Sequence, residues 1–114
     1  MEHGSCRVLI RGAGELASAT AHHLYGQGFR QILMLDRRFP KAVRRQVCFS
    51  EAILEGRQTV QGVSARLARS LPEIGRIHSE EEIAVATLSL NAVLADWSPH
   101  VLIEATMLRH DWGL

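Results

Sequence analysis

Aromatic residues make up only 5% of the 114-residue chain, and its formal net charge is +1. Little is available for base stacking and nothing draws the molecule as a whole to a phosphate backbone, so nucleic acid is not an expected partner. Cysteine is scarce as well. Cys6 and Cys48 stand far apart and outside any C-x-x-C pattern, which points to a reducing compartment and to buried thiols rather than nucleophiles. No apolar run approaches the roughly 20 residues that span a bilayer, and Met-Glu-His-Gly-Ser lacks the basic and apolar regions of a signal peptide. The expectation is a cytoplasmic protein with no membrane partner. Internal repeats and low-complexity linkers are also missing. With 46% apolar and 22% charged residues, residues 1–114 read as one globular domain around one core.

What is present is concentrated in residues 7–36, which read as strand, glycine turn, helix and strand. Val8-Leu9-Ile10 form a short apolar run, and Gly12-Ala13-Gly14-Glu15-Leu16-Ala17 matches the dinucleotide pattern G-x-G-x-x-[GA]. The first glycine of such a turn lets the chain leave the strand sharply, and the second lets backbone approach a pyrophosphate. A small third residue, here Ala17, lets helix and strand pack closely. The helix start offers N–H groups and a positive dipole end to an anion, where Glu15 would compete with a bound phosphate. Asp36 follows Gly14 by 22 residues at the end of the run Ile32–Leu35, placed to meet a ribose hydroxyl pair. Other readings are an empty glycine turn and a cap carboxylate at Asp36.

The helix is expected from about Gly14 to Tyr25, with Ala13, Ala17, Ala21 and Leu24 on its inner stripe and Gly26 and Gly28 closing it. His22 and His23 are adjacent and diverge on a helix, so they read as surface residues, with no metal expected. After Asp36 the segment 37–45 carries five cations in nine residues, interrupted by Pro40. Arg37 stands where dinucleotide folds place an arginine for a ribose phosphate, and Arg44 and Arg45 could meet further anionic oxygens. A solvated basic loop paired with Glu51 and Glu55 is the other reading. Val47–Glu55 stays open between strand and a short helix capped by Ser50. Thr59–Leu67 predicts a β-hairpin turning at Gln61-Gly62, with Val63, Ala65 and Leu67 inward.

From Ser79 onward, Ser79 with Glu82 makes a capping box, and periodicity alone favours one helix to Trp97. The alternative preferred here is a strand at Ile83–Thr87, followed by a helix capped by Ser89. Pro99 ends that helix, and Val101–Ile103 forms a strand delivering Glu104 and Thr106 to the ligand edge. The fold class expected is α/β, a Rossmann-like, partial doubly wound parallel sheet with a small β-hairpin excursion. Val8–Ile10, Ile32–Leu35 and Val101–Ile103 should be neighbouring parallel strands.

Three stretches carry a family resemblance: Ile10–Ser18, Ala42–Gly56 and Val60–Leu67, the middle one being the most specific. Across them the sequence resembles the accessory-protein family of selenium-dependent molybdenum hydroxylase systems, loosely akin to xanthine dehydrogenase accessory factors. Members of that family continue beyond this C-terminus, so the chain reads as a short form or the N-terminal part of a longer protein. It departs from the family pattern at Glu104 (usually aspartate), at Arg109 (usually lysine) and near Leu88, where an acid is missing. These departures count against an activity at the ligand edge.

The resemblance implies maturation of a molybdenum hydroxylase, with the apo-hydroxylase as partner and a molybdenum-pterin cofactor as ligand. The site residues expected are Gly12, Ala13, Gly14, Glu15, Asp36, Arg37, Arg44, Arg45 and Glu104. A small oxidoreductase holding an NAD(P)-like dinucleotide is the alternative, though no Ser-Tyr-Lys or Cys-His set is recognisable for it. An interaction domain with an empty turn is the third reading, since the last strand would leave an open edge for another chain or a second copy in a homo-oligomer.

Overall fold

The computed structural model describes residues 2–37 and 48–106. Strand β1 (Arg7–Arg11) leads through the glycine turn into helix α1 (Glu15–Gly26) and strand β2 (Gln31–Leu35). Helix α2 (Glu51–Glu55) is followed by strands β3 (Arg57–Val60) and β4 (Val63–Leu67), helix α3 (Leu71–Ser79) and strand β5 (Ile83–Ala86). A single helical turn, α4 (Leu90–Ala92), widens into a π-helical turn (Val93–Trp97) before strand β6 (Val101–Glu104). The strands form one six-stranded sheet in the order β3-β4-β5-β2-β1-β6. All neighbours are parallel except the β3–β4 hairpin. The three strands expected to be neighbours are β2, β1 and β6.

Strand periodicity sorts the core into two layers. Val8, Ile10, Ile32, Met34, Ile83 and Val85 face α1 and α2, where Ala13, Ala17, Ala21 and Phe49 complete one buried cluster. Leu9, Leu33, Ala84 and Ala86 face the other way, onto Ile74 and Ile77 of α3 and Val93 of the π-helical turn. Helices therefore cover both faces, which is why the parallel strands are apolar in both directions. Ala17 and Ala21 of α1 are fully buried, so that helix lies close to the sheet and aims its start at the end of β1. This is a Rossmann-like α/β fold.

Two local expectations need correction. Ser79 caps nothing: it is the last residue of α3 and its hydroxyl donates to the Arg76 carbonyl at 2.6 Å. The helix it helps to end, α3, was not among the elements expected, although Leu71, Ile74 and Ile77 lie on one stripe and Pro72 stands in its first turn. Glu82, the supposed partner in the box, is buried and pairs instead with Arg57 (3.2 Å) and Arg66 (2.7 Å). Ser89 does cap a helix, accepting from the Ala92 N–H at 3.4 Å, but only one α turn follows before the π-helical turn. In the hairpin, Gln61 (φ 48°) and Gly62 (φ 83°) both adopt positive φ, as a two-residue type I′ turn requires. Ala65 is fully buried, whereas Val63 and Leu67 are half-buried. Residues 48–50 form a turn rather than a strand. Cys48 is buried there, while Cys6 is half-buried.

His78, in the last turn of α3, lies in the second layer near Trp97 and donates its Nε2–H to the Ile32 carbonyl at 2.8 Å. Burial lowers its pKa from the ordinary 6.5, and the backbone contact opposes this without cancelling it. The unfolded chain thus takes up the proton at higher pH than the fold does. Stability from this group is complete above about 6.5 and declines as pH falls from there toward the lower folded value. Denaturant midpoints at pH 7.5, 6.5 and 5.5 should fall, and His78→Gln should flatten the decline across that window.

Candidate functional site

The sheet changes winding direction between β1 and β6. α1 carries the chain from β1 to β2 across one face, whereas the α4 and π-helical region carries it from β5 to β6 across the other. Ligands of open α/β sheets bind at the carboxyl ends of the strands on either side of such a point. In this protein those ends are Arg11-Gly12-Ala13-Gly14 and Glu104-Ala105-Thr106, with Asp36-Arg37 beside them at the end of β2.

The two glycines of the turn do different work. Gly12 has φ +115°, and a Cβ built there would stand 2.6 Å from the carbonyl oxygen of Ala105. Its glycine requirement is therefore met by the β6 end of the sheet rather than by a pyrophosphate. Its N–H donates to the Leu35 carbonyl at 2.7 Å. Gly14, by contrast, has nothing within 4 Å of a Cβ position among the described residues and is itself the N-cap of α1, with no side chain to cap the helix. Open space beside a helix start is the geometry a phosphate needs.

Ala13, fully buried between them, is the anchor of the turn. Its N–H donates to Oδ2 of Asp36 at 2.9 Å. Its carbonyl accepts from the Ser50 N–H (3.0 Å) and from the Ser18 hydroxyl (3.0 Å). Ser18 Oγ accepts in turn from the Phe49 N–H at 2.8 Å. Asp36 takes a second backbone donor, the Arg37 N–H, on Oδ1 at 2.7 Å. The acid read as a ribose ligand is thus first a clamp on the turn, and it retains acceptor capacity because a carboxylate offers about four lone-pair positions.

Arg37 is exposed beside Asp36, and Glu15 is exposed on the first turn of α1. Glu104 lies across from Arg11 in the β1–β6 register and pairs with it at 2.8 Å, while Thr106 donates to the other carboxylate oxygen at 3.0 Å. Both partners are more than a third exposed, so the pair contributes little to stability. Gly12, Ala13, Gly14, Glu15, Asp36, Arg37 and Glu104 therefore come to one edge of the sheet. Arg44 and Arg45 lie outside the described residues. Sequence reasoning missed Arg11, Ser18 and Ser50. Arg11 could have been found as the polar end of β1, but nothing in a lone helical serine announces Ser18. Ser50 Oγ is buried without a hydrogen-bond partner among the described residues, on the residue whose N–H pins the turn. Leaving such a group unpaired costs about 1–3 kcal/mol, which a ligand atom would relieve. No three His, Cys, Asp or Glu side chains converge to hold a metal ion among the described residues. No helix among them is long and apolar enough to cross a membrane.

Fold and edge together define a Rossmann-like α/β domain with a glycine turn at its topological switch. The chain is similar to the Escherichia coli (strain K12) protein named Uncharacterized protein YqeB, at 35% identity over 106 residues. That match takes in 93% of this chain and 19% of the E. coli protein. No family model and no solved structure matches the chain.

Proposed function

We propose that this domain holds a phosphorylated cofactor at the glycine turn, as the binding module of an accessory protein for a molybdenum hydroxylase. The observation that carries the binding half is the space around Gly14, clear of the described residues, at the glycine-capped start of α1, beside a turn held by Asp36. The maturation half rests on the sequence resemblance in residues 10–18, 42–56 and 60–67. The residues present fit such a group: the start of α1 would face a phosphate, Asp36 keeps lone pairs for a hydroxyl, and the Ser50 hydroxyl has no hydrogen-bond partner among the described residues. A pterin or nicotinamide group would bring its own redox chemistry. The chain's part is to bind and orient it.

Calorimetric titration with a pterin dinucleotide and with a nicotinamide dinucleotide tests the proposal, alongside mass spectrometry of small molecules released from gently purified protein. Saturable binding of the pterin is the expected result, whereas nicotinamide turnover on a simple carbonyl would favour an oxidoreductase. Asp36→Ala should weaken binding roughly tenfold to a hundredfold, since a hydrogen bond to a charged group contributes about 1.5–3 kcal/mol. The same substitution strands the buried Ala13 N–H, so the denaturant midpoint should drop as well. Loss of stability without loss of affinity would restrict Asp36 to the clamp.

A further inference from the structure

A surface cavity of about 400 Å³ lies between α3 and the β3–β4 hairpin, away from the glycine turn. Two strands, β5 and β2, separate β4 from β1. Four arginines line it: Arg57, Arg66, Arg69 and Arg76, with Glu73 the one acid in the lining and Ile77 at its apolar wall. Arg57 and Arg66 are directly opposite in the hairpin register, an arrangement of like charges that is unfavourable unless an anion lies between them. Glu82 supplies that anion, at 3.2 Å from Arg57 and 2.7 Å from Arg66, and Glu80 adds a second contact to Arg66 at 2.8 Å. Glu73 is occupied too, accepting from the backbone N–H of Arg69 at 2.9 Å.

The acids around the cavity are thus committed, and the guanidinium groups of Arg69 and Arg76 have no acid partner among the described residues. Both are exposed, one just before α3 and one in its last turn. A guanidinium presents a planar fork of donors that fits phosphate oxygens two at a time. The volume exceeds what a single phosphate fills and falls in the range of small-molecule sites. We propose that this cavity binds the polyphosphate group of a small molecule, with Arg69 and Arg76 as its main contacts and Arg66 and Arg57 behind them. The site is independent of the glycine turn and does not require that turn to be occupied.

The test titrates the full chain with inorganic pyrophosphate and, separately, with adenosine diphosphate, at low and high salt. The Gly14→Val chain serves as background, so that any turn site is blocked. Saturable binding that weakens with salt is expected, with at least a tenfold loss in the doubly substituted Arg69→Gln, Arg76→Gln chain. Arg30→Gln, remote from the cavity, should leave binding unchanged. Tighter binding of the nucleotide than of pyrophosphate would identify a nucleotide source, and equal binding a free polyphosphate; both uphold the site. As a readout that needs no variant, the Nε–Hε resonances of Arg69 and Arg76 should shift on adding pyrophosphate to the unaltered chain. Absence of saturable binding, or binding indifferent to the double substitution with those resonances unmoved, would overturn the proposal. Failure at the glycine turn would leave this result untouched, since the two sites are read in different variants.

Discussion

Gly12→Val should unfold much of the population or lower the denaturant midpoint sharply, before any ligand is considered. A β-branched residue at φ +115° is strained by about 1–3 kcal/mol. Its Cβ would also meet the Ala105 carbonyl oxygen at 2.6 Å, and that obstacle is backbone, held by the Ala105 N–H bond to the Arg11 carbonyl at 2.9 Å. Forcing atoms into such a contact costs roughly another 1–3 kcal/mol. Set against a total stability of about 5–15 kcal/mol for an ordinary domain, the loss is severe. Equilibrium unfolding followed by circular dichroism measures it. A midpoint equal to the parent's would mean that β6 can move aside, and the packing explanation of Gly12 would be lost.

Gly14→Val should do the opposite. Its backbone, at φ −77° and ψ −157°, is extended and open to any residue, and a Cβ there meets nothing within 4 Å among the described residues. Valine is a poorer helix cap than glycine, so stability should fall by about 1 kcal/mol or less. Affinity for a phosphorylated cofactor should fall at least about a hundredfold, because the side chain fills the approach to the start of α1. The decisive measurement is calorimetric titration of this variant beside the parent, with unfolding curves to show that both are folded. Undiminished affinity would move the ligand off the turn and leave the glycine pattern as a feature of the fold. The contrast matters because a pattern search treats the two glycines as equivalent, whereas their surroundings assign one to packing and one to the open edge.

The strand, turn and helix of residues 7–36 were legible because each residue type there has one physical use: branched apolar residues for a buried strand, glycine for the turn, and alanine for close helix packing. The hairpin was equally plain, since the glycine at position 62 sits between two short alternating runs. Ile83–Ala86 was harder. A central parallel strand is buried on both faces, so it shows no alternation, and its residues also satisfy a helical stripe drawn through Thr87 and Leu90. Helix α3 went unread although its signals are present: Leu71, Ile74 and Ile77 lie on one stripe, and Ser70, Pro72 and Glu73 mark its start. At the site, Gly14 and Asp36 were legible as types at a spacing. The hydrogen bonds that make Asp36 a clamp depend on where Ala13 sits in space, and no spacing in the sequence records that. The arginine cavity was hidden for a related reason: Arg57, Arg66, Arg69 and Arg76 never form a run, and only hairpin pairing and the return of α3 gather them.

Ala13 fastens both ends of the connection that leaves β2. At the outgoing end Asp36 grips its N–H; at the returning end Ser50 binds its carbonyl directly, and Phe49 is tied to it through the Ser18 hydroxyl. With both posts set in one residue of the scaffold, the number of residues strung between them is uncoupled from the register of the sheet. Each doubling of such a span costs only about 0.6 kcal/mol in closure entropy. The length of that connection can therefore change between the same posts while β1, β2 and the turn keep their positions.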